Sequence, residues 1–427
     1  MIYNNRYCFV VRNSKSIFYR FTLNNNKNLF LQSYNYKGIT SSSIFKEKII
    51  DFSVSIDSLD KLHVLYTSVN GNIKYTIYPS NFQKDVTIFN AKDRGFHVLF
   101  LTLKIIKFKP HIFYILENKS HPSHHSIYHG FWNNNNFHNT KIDDIVFSKY
   151  MYPYTVDIFN NNIYLFYTRS YDNSFTIKLF DVDLQTWSNY EDKIFVPSAN
   201  NTNFLINDKN IALLCYNNSF NKNIQTFVKY KELGSPDSNW SKPIMISDGT
   251  TNSTHANIIN KEGATYIIWE ENGQIVYRKS FYGKNDWGNK NSLIYKKENF
   301  FTGVYLSNHK ADGDYKGIFT TFATGAFPYP IINLENKSLT EFYIDKDSST
   351  TNLFVPINKS ASNHNKKEKI YIEELQSIID DKDKKIIELS QHNLILKDEL
   401  DQKSKQLEIL NQKLKKSWFL KFFKFNL

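Results

Sequence analysis

Cysteine is nearly absent from this 427-residue chain, which contains only Cys8 and Cys215. Both lie in apolar stretches, and two buried reduced thiols indicate a reducing compartment rather than a disulfide-stapled secreted fold. Long apolar runs are also missing, because no stretch approaches the roughly eighteen residues of a membrane-spanning helix. The first residues lack the charged segment and apolar core of a signal peptide. The sequence therefore predicts a cytoplasmic protein.

Recognisable catalytic motifs are missing as well. The sequence has no glycine-rich phosphate loop, no nucleophile elbow and no Cys/His dyad in a typical context. A histidine-rich segment contains His121, His124, His125 and His129, but it lacks a companion carboxylate cluster or Cys pair. We interpret it as a surface loop that enters a strand. No enzyme activity, cofactor or metal is expected.

Positive charge exceeds negative charge, with a net charge of +12. The part of the chain before the linker described below has no dense run of Lys or Arg, although such runs are typical of nucleic-acid-binding segments. We therefore interpret the charge as a lysine-rich, solvated surface and expect no specific nucleic-acid partner.

Aromatic residues are abundant, at 16%, and many of them recur at a fixed interval. An apolar strand that ends in an aromatic residue occurs every 48 to 53 residues, and the closing aromatics are Tyr66, Tyr114, Tyr167, Tyr216 and Trp269. Phe322 lies 53 residues further on, and CFVVRN (8–13) lies one period before Tyr66, with Val11 in the aromatic position. A repeat of this length in an all-β sequence is typical of a β-propeller.

Each repeat has the same order: a leading strand, a polar turn, the aromatic-ended strand, a second turn and a third strand. Four consecutive repeats then carry a tryptophan, and these are Trp132, Trp187, Trp240 and Trp287. Counted in this way, residues 1–357 predict a seven-bladed propeller. Six blades are the alternative, if one of the weak terminal units is a partial blade. Blades completed jointly by the two terminal units would remove exposed sheet edges.

The period changes after a polar linker at 358–369. Between residues 370 and 414, apolar side chains recur every seven residues and again three positions later, which predicts a long α-helical coiled coil. The predicted dimerisation residues are Ile372, Leu375, Ile379, Ile386, Leu389, Asn393, Leu396, Leu400, Leu407, Leu410 and Leu414. Ile at the first position, Leu at the second and one polar Asn favour a parallel homodimer. A single amphipathic helix lying on the propeller is the alternative.

The final segment, 415–427, combines lysines with large aromatic residues. Its predicted docking residues are Trp418, Phe419, Phe422, Phe423, Phe425, Lys421 and Lys424. On a helix the aromatic residues share one face and Lys421 and Lys424 lie opposite. Three interpretations stay open: peripheral attachment to an anionic membrane surface, docking into a partner protein, and capping of the coil.

The tryptophan-ending repeats resemble the sialidase-like, Asp-box propellers and the bacterial and fungal propeller lectins. The nearest match to the Asp-box pattern is SPDSNW, with Ser235, Asp237 and Trp240 but without its glycine and threonine. Sialidases also clamp a carboxylate with three arginines, and no arginine here lies in that family's sequence context. The resemblance therefore implies a fold and does not transfer catalytic residues.

Single residues point to a few further expectations. Asp57 and Asp157 are predicted to form turns, and the closing aromatics are predicted to be blade core. Glu270 and Glu271, at a strand end beside a hairpin, are candidates for ligand contact. Ligands are expected at the Asn-rich loops, which gather at one rim of a propeller.

Together these patterns predict a non-catalytic recognition or scaffold protein that presents propellers on a dimeric coiled-coil stalk. Its partner would be an unknown protein or glycan at the propeller rim. A carbohydrate-binding propeller lectin is the second hypothesis, and a sialidase-like glycoside hydrolase is the third.

Overall fold

Short apolar stretches alternate with turns rich in Asn, Asp and Gly, and this pattern gives strands rather than helices. In the computed structural model, the strands form six antiparallel, mostly four-stranded sheets of a β-propeller, called blades 1 to 6 in chain order. The predicted all-β propeller is confirmed, but with six blades. The prediction of seven was wrong.

The structure describes residues 8–35, 38–79, 85–90, 95–133, 136–147, 152–170, 174–194, 196, 199–234, 238–293, 300–313, 315–317 and 320–323. The predicted linker, coiled coil and tail, at 358–369, 370–414 and 415–427, lie outside these residues.

The blades follow one another along the chain. Blades 1 to 3 consist of β1 (Cys8–Arg12), β2 (Phe18–Leu23), β3 (Leu29–Asn35), β4 (Gly38–Lys46), β5 (Ile49–Ile56), β6 (Leu62–Ser68), β7 (Asn72–Tyr78), β8 (Val86–Asn90), β9 (Phe96–Ile106), β10 (Lys109–Asn118), β11 (His121–Asn133) and β12 (Asn136–Ile145). Blades 4 to 6 consist of β13 (Tyr154–Phe159), β14 (Asn162–Thr168), β15 (Phe175–Asp181), β16 (Thr186–Ile194), β17 (Asn200–Ile206), β18 (Ile211–Phe220), β19 (Asn223–Glu232), β20 (Ile244–Met245), β21 (Ser253–Lys261), β22 (Ala264–Glu271), β23 (Gln274–Ser280) and β24 (Asn291–Leu293).

The turn after the first strand of a blade is built by a short polar side chain. Asn13 Oδ1 accepts hydrogen bonds from the amides of Lys15 and Ile17, and Asn207 repeats this arrangement after β17. Asn210 in the second of these turns has a φ of 62°, a conformation that Asn tolerates better than most residues. The predicted polar turns are thereby confirmed.

The turn at Asn13 also corrects the alignment of the first repeat. Because Asn13 is equivalent to Asn207, the strand before it, β1, is the leading strand of blade 1. Val11 therefore does not occupy the aromatic position, and the second strand is β2. The sequence comparison was wrong by one strand because β1 is as apolar as the aromatic-ended strands.

The expected last unit, around Phe322, is described only as far as residue 323. Its described part belongs to a segment that lines the inner edges of two other blades, and we call the described residues of 300–323 the inner segment. It contains β25 (Phe300–Ser307), a 3₁₀ turn (Lys310–Asp312), β26 (Lys316–Gly317) and β27 (Thr320–Ala323). Strand β25 pairs in parallel with β1 of blade 1, and β26 pairs with β21 of blade 6. Among the strands that the structure describes, β27, which contains Phe322, pairs only with β25.

A buried ion pair fixes the inner segment to blade 1. Arg12 Nη1 lies 2.9 Å from Asp312 Oδ1, and the Asp312 side chain is fully buried. Tyr305 donates to the other oxygen of Asp312 at 2.6 Å. The first and last described parts of the chain thus meet, as ring closure requires, although by a parallel strand rather than by completion of a blade.

The core is divided into clusters that lie between neighbouring blades. Phe52 of blade 2, for example, packs with Phe9 of blade 1 at a ring-centroid distance of 5.2 Å. Equivalent clusters follow at each successive interface. Tyr315 of the inner segment packs against the clusters of both blade 6 and blade 1. Burial between blades is the main favourable contribution to this architecture.

Candidate functional site

Polar side chains on the innermost strands tie each blade to the next. Asp51 Oδ2 accepts a hydrogen bond from the amide of Leu101, 50 residues later, at 2.9 Å. Asn203 Nδ2 donates to the carbonyl of Ala256 at 2.7 Å. These buried groups are used within the ring and are not presented to a ligand.

Asp157 belongs to the same set, so its predicted role in a turn was wrong. Its Oδ2 accepts a hydrogen bond from the amide of Ile206 at 2.6 Å, and its Oδ1 lies 2.9 Å from Lys316 Nζ. Lys316 also donates to the carbonyls of Ile158 and Ile206. Burial lowers the pKa of nearby Lys104, against the attraction of Asp157. The inner segment is thereby attached to blades 4 and 5.

Asp57, in contrast, has the predicted role. Its Oδ1 accepts hydrogen bonds from the amides of Leu59 and Lys61 and so closes the turn after β5. Its Oδ2 lies 3.1 Å from His63 Nε2. Burial lowers the pKa of His63, although Asp57 opposes this shift.

The closing aromatics are blade core, as predicted, and all five are buried. Three of them share a further arrangement, in which the polar atom of the ring donates to a carboxylate that also lies close to a lysine. The three sets are Tyr66–Asp85–Lys46, Tyr167–Asp143–Lys178 and Trp269–Glu271–Lys290. The carboxylates satisfy aromatic hydrogen-bonding groups at blade interfaces, where an unpaired donor would be costly.

The histidine-rich segment is part of strand β11, so its interpretation as a surface loop was wrong. His129 is fully buried and stacks on Phe113 with ring centroids 4.5 Å apart. Its Nε2 lies 3.0 Å from Nδ1 of the equally buried His111. Burial lowers the pKa of both, that of His111 to about 4. In the described part of the chain, no three His, Cys, Asp or Glu residues form a group that could hold a metal ion.

A polar cleft opens between blades 5 and 6, on the side of the ring where β18 turns into β19 and β22 turns into β23. The loop from β20 to β21 forms its third wall. The cleft has a volume of about 430 Å³ and is lined by Asn223, Thr250, Thr251, Asn252, Thr254, Glu270 and Asn272.

Hydrogen bonds hold the third wall against blade 5. Asn223 Nδ2 donates to the carbonyls of Gly249 and Thr250 at 3.2 and 3.3 Å. Asn252 Oδ1 accepts a hydrogen bond from the amide of Ile224 at 2.8 Å. The loop is therefore positioned by amide side chains of the cleft itself.

A buried glutamine supports the same loop from below. Gln225 Nε2 donates to the carbonyl of Thr251 at 2.7 Å. Gln225 Oε1 accepts hydrogen bonds from Ser247 Oγ and from the amide of Gly249. With both ends of its amide engaged, Gln225 fixes the position of the wall before any ligand enters.

Three of the lining side chains have hydrogen-bonding capacity to spare. Among the residues that the structure describes, the side chains of Thr250, Thr254 and Asn272 form no hydrogen bond with another residue. Asn272 is exposed at the tip of the β22–β23 hairpin, with a φ of 50°. Two hydroxyls and one amide are thus available to a ligand in the cleft.

Several charged side chains lie in the cleft wall and behind it. Glu270 Oε2 lies 3.2 Å from His255 Nδ1. Behind it, Lys290 Nζ lies 2.5 Å from Asp248 and 3.0 Å from Glu271. The hydrogen bond to Asp248 raises the pKa of Lys290. Partial burial opposes this shift, and the contact with Glu271 adds to it. One lysine is therefore shared by two carboxylates, while Glu270 remains at the cleft.

The structure separates the two glutamates that the sequence singled out. Glu270 lines the cleft, whereas Glu271 is buried and accepts hydrogen bonds from Trp269 and Thr251. From the sequence, ligands were expected at Asn-rich loops, but the individual Asn and Thr residues of this cleft were not identified. The run GTTNST (249–254), a polar loop between two strands, is the signal that could have identified them.

Other predicted residues do not take part in this site. The dimerisation residues from Ile372 to Leu414 and the docking residues from Trp418 to Phe425 lie outside the described residues. Ser235 and Asp237 of the partial Asp-box also lie outside them, and Trp240 packs against the core between blades 4 and 5.

Two of the described arginines form contacts within the propeller. Arg12 is bound to Asp312, and Arg169 donates to Ser174.

No helix that the structure describes is both long and apolar enough to cross a membrane.

Comparison with known proteins gives similarity to solved structures only. No protein-family model matches the chain, and no curated protein matches it. A lectin of Aleuria aurantia in complex with Fucα1-6GlcNAc is similar to it with a TM-score of 0.39 and 11% identity, covering 67% of this chain and 94% of the lectin. A Hadza microbial sialidase has a TM-score of 0.39 and 10% identity over 62% of this chain and 63% of the sialidase. The polysaccharide lyase Uly1 has a TM-score of 0.46 and 10% identity over 72% of this chain and 85% of the lyase. These names describe those proteins only.

Proposed function

We propose that the propeller binds saccharides in the cleft between blades 5 and 6 and releases them unchanged. The observation that carries this proposal is the lining of the cleft. Six of its seven side chains are neutral amides or hydroxyls, and the seventh is Glu270. Sugar hydroxyls both donate and accept hydrogen bonds, and amides, hydroxyls and a carboxylate are complementary to them.

The shape of the cleft supports the same assignment. Its volume of about 430 Å³ lies within the range of about 300–1,000 Å³ that is usual for small-ligand sites. Thr250, Asn252 and Asn272 are exposed at its edge. A terminal or internal unit of a longer glycan can therefore enter without threading through the protein.

The carboxylates support binding rather than hydrolysis. Glycoside hydrolysis generally uses two carboxyl groups, roughly 5–10 Å apart, on either side of the scissile bond. Glu270 is the one acidic residue among those that line the cleft. The neighbouring Glu271 is buried and engaged with Trp269, Thr251 and Lys290.

The heptad repeat at 370–414, which lies outside the described residues, favours the presentation of two propellers by one dimer. A parallel dimer would present two propellers together and raise the avidity for a multivalent glycan without new contacts. We propose this bivalent presentation from the sequence pattern of residues 370–414. Peripheral membrane attachment through residues 415–427 remains a prediction of the sequence.

A glycan array probed with the intact protein identifies a ligand, and calorimetric titration then gives its Kd. The double substitution Thr250→Val and Thr254→Val removes two free hydroxyls and keeps the side-chain shape. Because a neutral hydrogen bond contributes about 0.5–1.5 kcal/mol, we expect the Kd to rise roughly tenfold or more. Thr87→Val on the outer strand β8 is the matched control and should leave the Kd unchanged.

Two results would contradict the proposal. The first is binding that is insensitive to the double substitution. The second is release of sugar from the bound glycan during long incubation, abolished by Glu270→Gln, since this would make the protein a hydrolase.

A further inference from the structure

We infer that one side of the propeller lies on an anionic lipid bilayer, which it contacts through apolar side chains at the tips of its turns. On this side, which we call the turn side, the first strand of a blade turns into the second and the third into the fourth. The cleft opens on the opposite side of the ring. A bilayer on the turn side therefore leaves the cleft accessible to a ligand.

Contacts between neighbouring blades show that these turns share one side of the ring. The amide of Ser14, in the first turn of blade 1, donates to Asp60 in the first turn of blade 2. Lys107 Nζ, in the first turn of blade 3, lies 2.6 Å from Asp183 in the last turn of blade 4. The turns of blades 5 and 6 are joined in the same way. A flat surface can therefore touch the turns of several blades at once.

The most exposed apolar side chains all lie on the turn side. Single exposed apolar residues are ordinary on a protein surface, but here the five most exposed of the large ones that the structure describes share one side. They are Leu184, Leu59, Phe108, Phe281 and Tyr282, at 72, 65, 61, 61 and 58%. On the cleft side, Val69 and Phe220 are 43 and 45% exposed. Because four different blades contribute the five tips, a flat partner fits them better than a groove does.

The turn that carries Phe108 is strained. Among the described residues, five two-residue hairpin turns have a positive φ at both positions. Four of them contain the Asn or Gly that such a turn favours, as Asn160 and Asn161 in blade 4 illustrate. The fifth consists of Lys107 and Phe108, with φ of 48° and 62°. A bulky residue is unfavourable in this conformation, and strain of this kind is typical of functional sites.

Two other tips are held in place by carboxylates of their own turns. Asp57 Oδ1 accepts a hydrogen bond from the amide of Leu59 at 2.9 Å. Asp181 Oδ1 accepts one from the amide of Leu184 at 2.8 Å. Asp60, the neighbour of Leu59, accepts hydrogen bonds from blade 1 and from the inner segment. The backbone beneath each tip is thus fixed, so that contact with lipid requires little further ordering.

Exposed lysines accompany two of the tips and indicate the type of lipid. Lys61 follows Leu59 by two positions, and Lys107 and Lys109 flank Phe108. Lys107 is paired with blade 4. Lysines beside an apolar tip are attracted by anionic headgroups, while their alkyl stems stay near the lipid. The net charge of +12 attracts the same surface at long range, and it favours an anionic bilayer over a second copy of this basic chain.

Co-sedimentation of the intact chain with vesicles tests the inference, using phosphatidylcholine alone and phosphatidylcholine mixed with phosphatidylserine. We expect binding to the mixed vesicles that weakens as salt is added. The triple substitution Leu59→Ser, Phe108→Asn and Leu184→Ser should weaken this binding roughly tenfold or more, because binding scales with the apolar area buried in the lipid. Val69→Ser with Phe220→Ser, on the cleft side, is the control and should leave it unchanged. The tail at 415–427 is present in every variant.

Two further measurements separate lipid contact from folding. Lys107→Asn with Phe108→Asn copies the turn of blade 4. It should weaken vesicle binding, while the free energy of unfolding in urea stays the same or rises, because Asn relieves the strain.

A fluorescent label locates the contact. Both native cysteines are buried, so an environment-sensitive fluorophore attached to Phe108→Cys reports on that tip alone. Its emission should shift to shorter wavelengths when mixed vesicles are added. The same label on Val69→Cys should not shift.

Four results would overturn the inference. The first is no binding to the mixed vesicles. The second is binding that the triple substitution leaves unchanged, which would assign it to another part of the chain such as the tail. The third is a loss of stability on replacing Lys107 and Phe108 by Asn, because these residues would then serve the fold. The fourth is a dimer that the triple substitution abolishes, without vesicle binding, which would assign the turn side to a second copy of the chain.

Discussion

Asp157 Oδ2 accepts a hydrogen bond from the backbone amide of Ile206, 49 residues later and one blade further round the ring, at 2.6 Å. Its other oxygen is paired with Lys316 of the inner segment. One carboxylate thus joins blade 4, blade 5 and the segment that closes the ring. The separation of 49 residues is about one repeat, and this hydrogen bond therefore joins the leading strands of two successive blades.

Asp157→Asn tests this junction. The amide keeps an acceptor for Ile206 but leaves Lys316 without its charge partner, beside Lys104. Because removing one member of a buried pair is strongly destabilising, we expect the free energy of unfolding in urea to fall by about 3 kcal/mol. Asp183→Asn, which breaks an exposed pair with Lys107, should change it by less than about 1 kcal/mol. Equal effects of the two substitutions would contradict this account.

The closure between blade 1 and the inner segment gives a second prediction. Asp312→Leu removes the carboxylate that pairs with the buried Arg12 and should cost about 3–5 kcal/mol of unfolding free energy. Adding Arg12→Met removes the remaining charge and should recover much of this loss, since apolar replacements of buried pairs are often tolerated. Urea denaturation of the two variants checks this. A double variant no more stable than the single one would show that the pair does not act as a unit.

The stacked histidines give a pH dependence. The pKa of folded His111 is about 4 and that of His129 is also lowered, whereas an unfolded histidine titrates near pH 6.5. The unfolded chain therefore binds protons first as the pH falls, so this contribution is complete above about pH 6.5 and is lost towards pH 4. The slope is up to about 1.4 kcal/mol per pH unit for each histidine.

Unfolding free energies measured between pH 4 and 7 test that slope. Replacing both His111 and His129 by Gln should flatten it, whereas His124→Gln, at an exposed position, should not. An unchanged slope in the double variant would assign the acid sensitivity to other groups.

The coiled coil supplies a prediction that lies outside the described residues. Light scattering of the intact chain at micromolar concentration should give the mass of a dimer. Asn393→Leu should stabilise the coil but permit higher oligomers, because a polar residue at this heptad position specifies the dimer at a cost in stability. A monomer mass for the intact chain would refute the dimer.

The sequence predicted the strands and their repeat because a blade buries both faces, so the apolar runs ending at Tyr66 and Tyr167 are long and regular. It misplaced β1 because Val11 and its neighbours are as apolar as an aromatic-ended strand. Only Asn13, a turn residue, distinguishes the leading strand. The seventh unit was predicted because Phe322 continues the spacing of the closing aromatics, although its strand β27 pairs with β25, which in turn pairs with the inner edge of blade 1.

Single polar residues were harder to interpret. Both Asp57 and Asp157 precede a polar turn in the sequence, but Asp57 follows β5 and closes the turn, whereas Asp157 lies within β13 and reaches the next blade. His129 follows three other histidines in the sequence, but strand alternation places it in the core. The cleft joins residues from three separate loops, and only contacts such as that of Asn223 with Gly249 bring them together.

Hydrogen–deuterium exchange with and without a bound saccharide tests the central claim, that the cleft between blades 5 and 6 is the ligand site. The account predicts that slowed exchange is concentrated in residues 248–254 and 270–274, at the loop and the hairpin that form the cleft. It also predicts little change at the ends of the inner strands near Lys316. Protection at the inner strands or between other blades, with none at 248–254, would contradict the account.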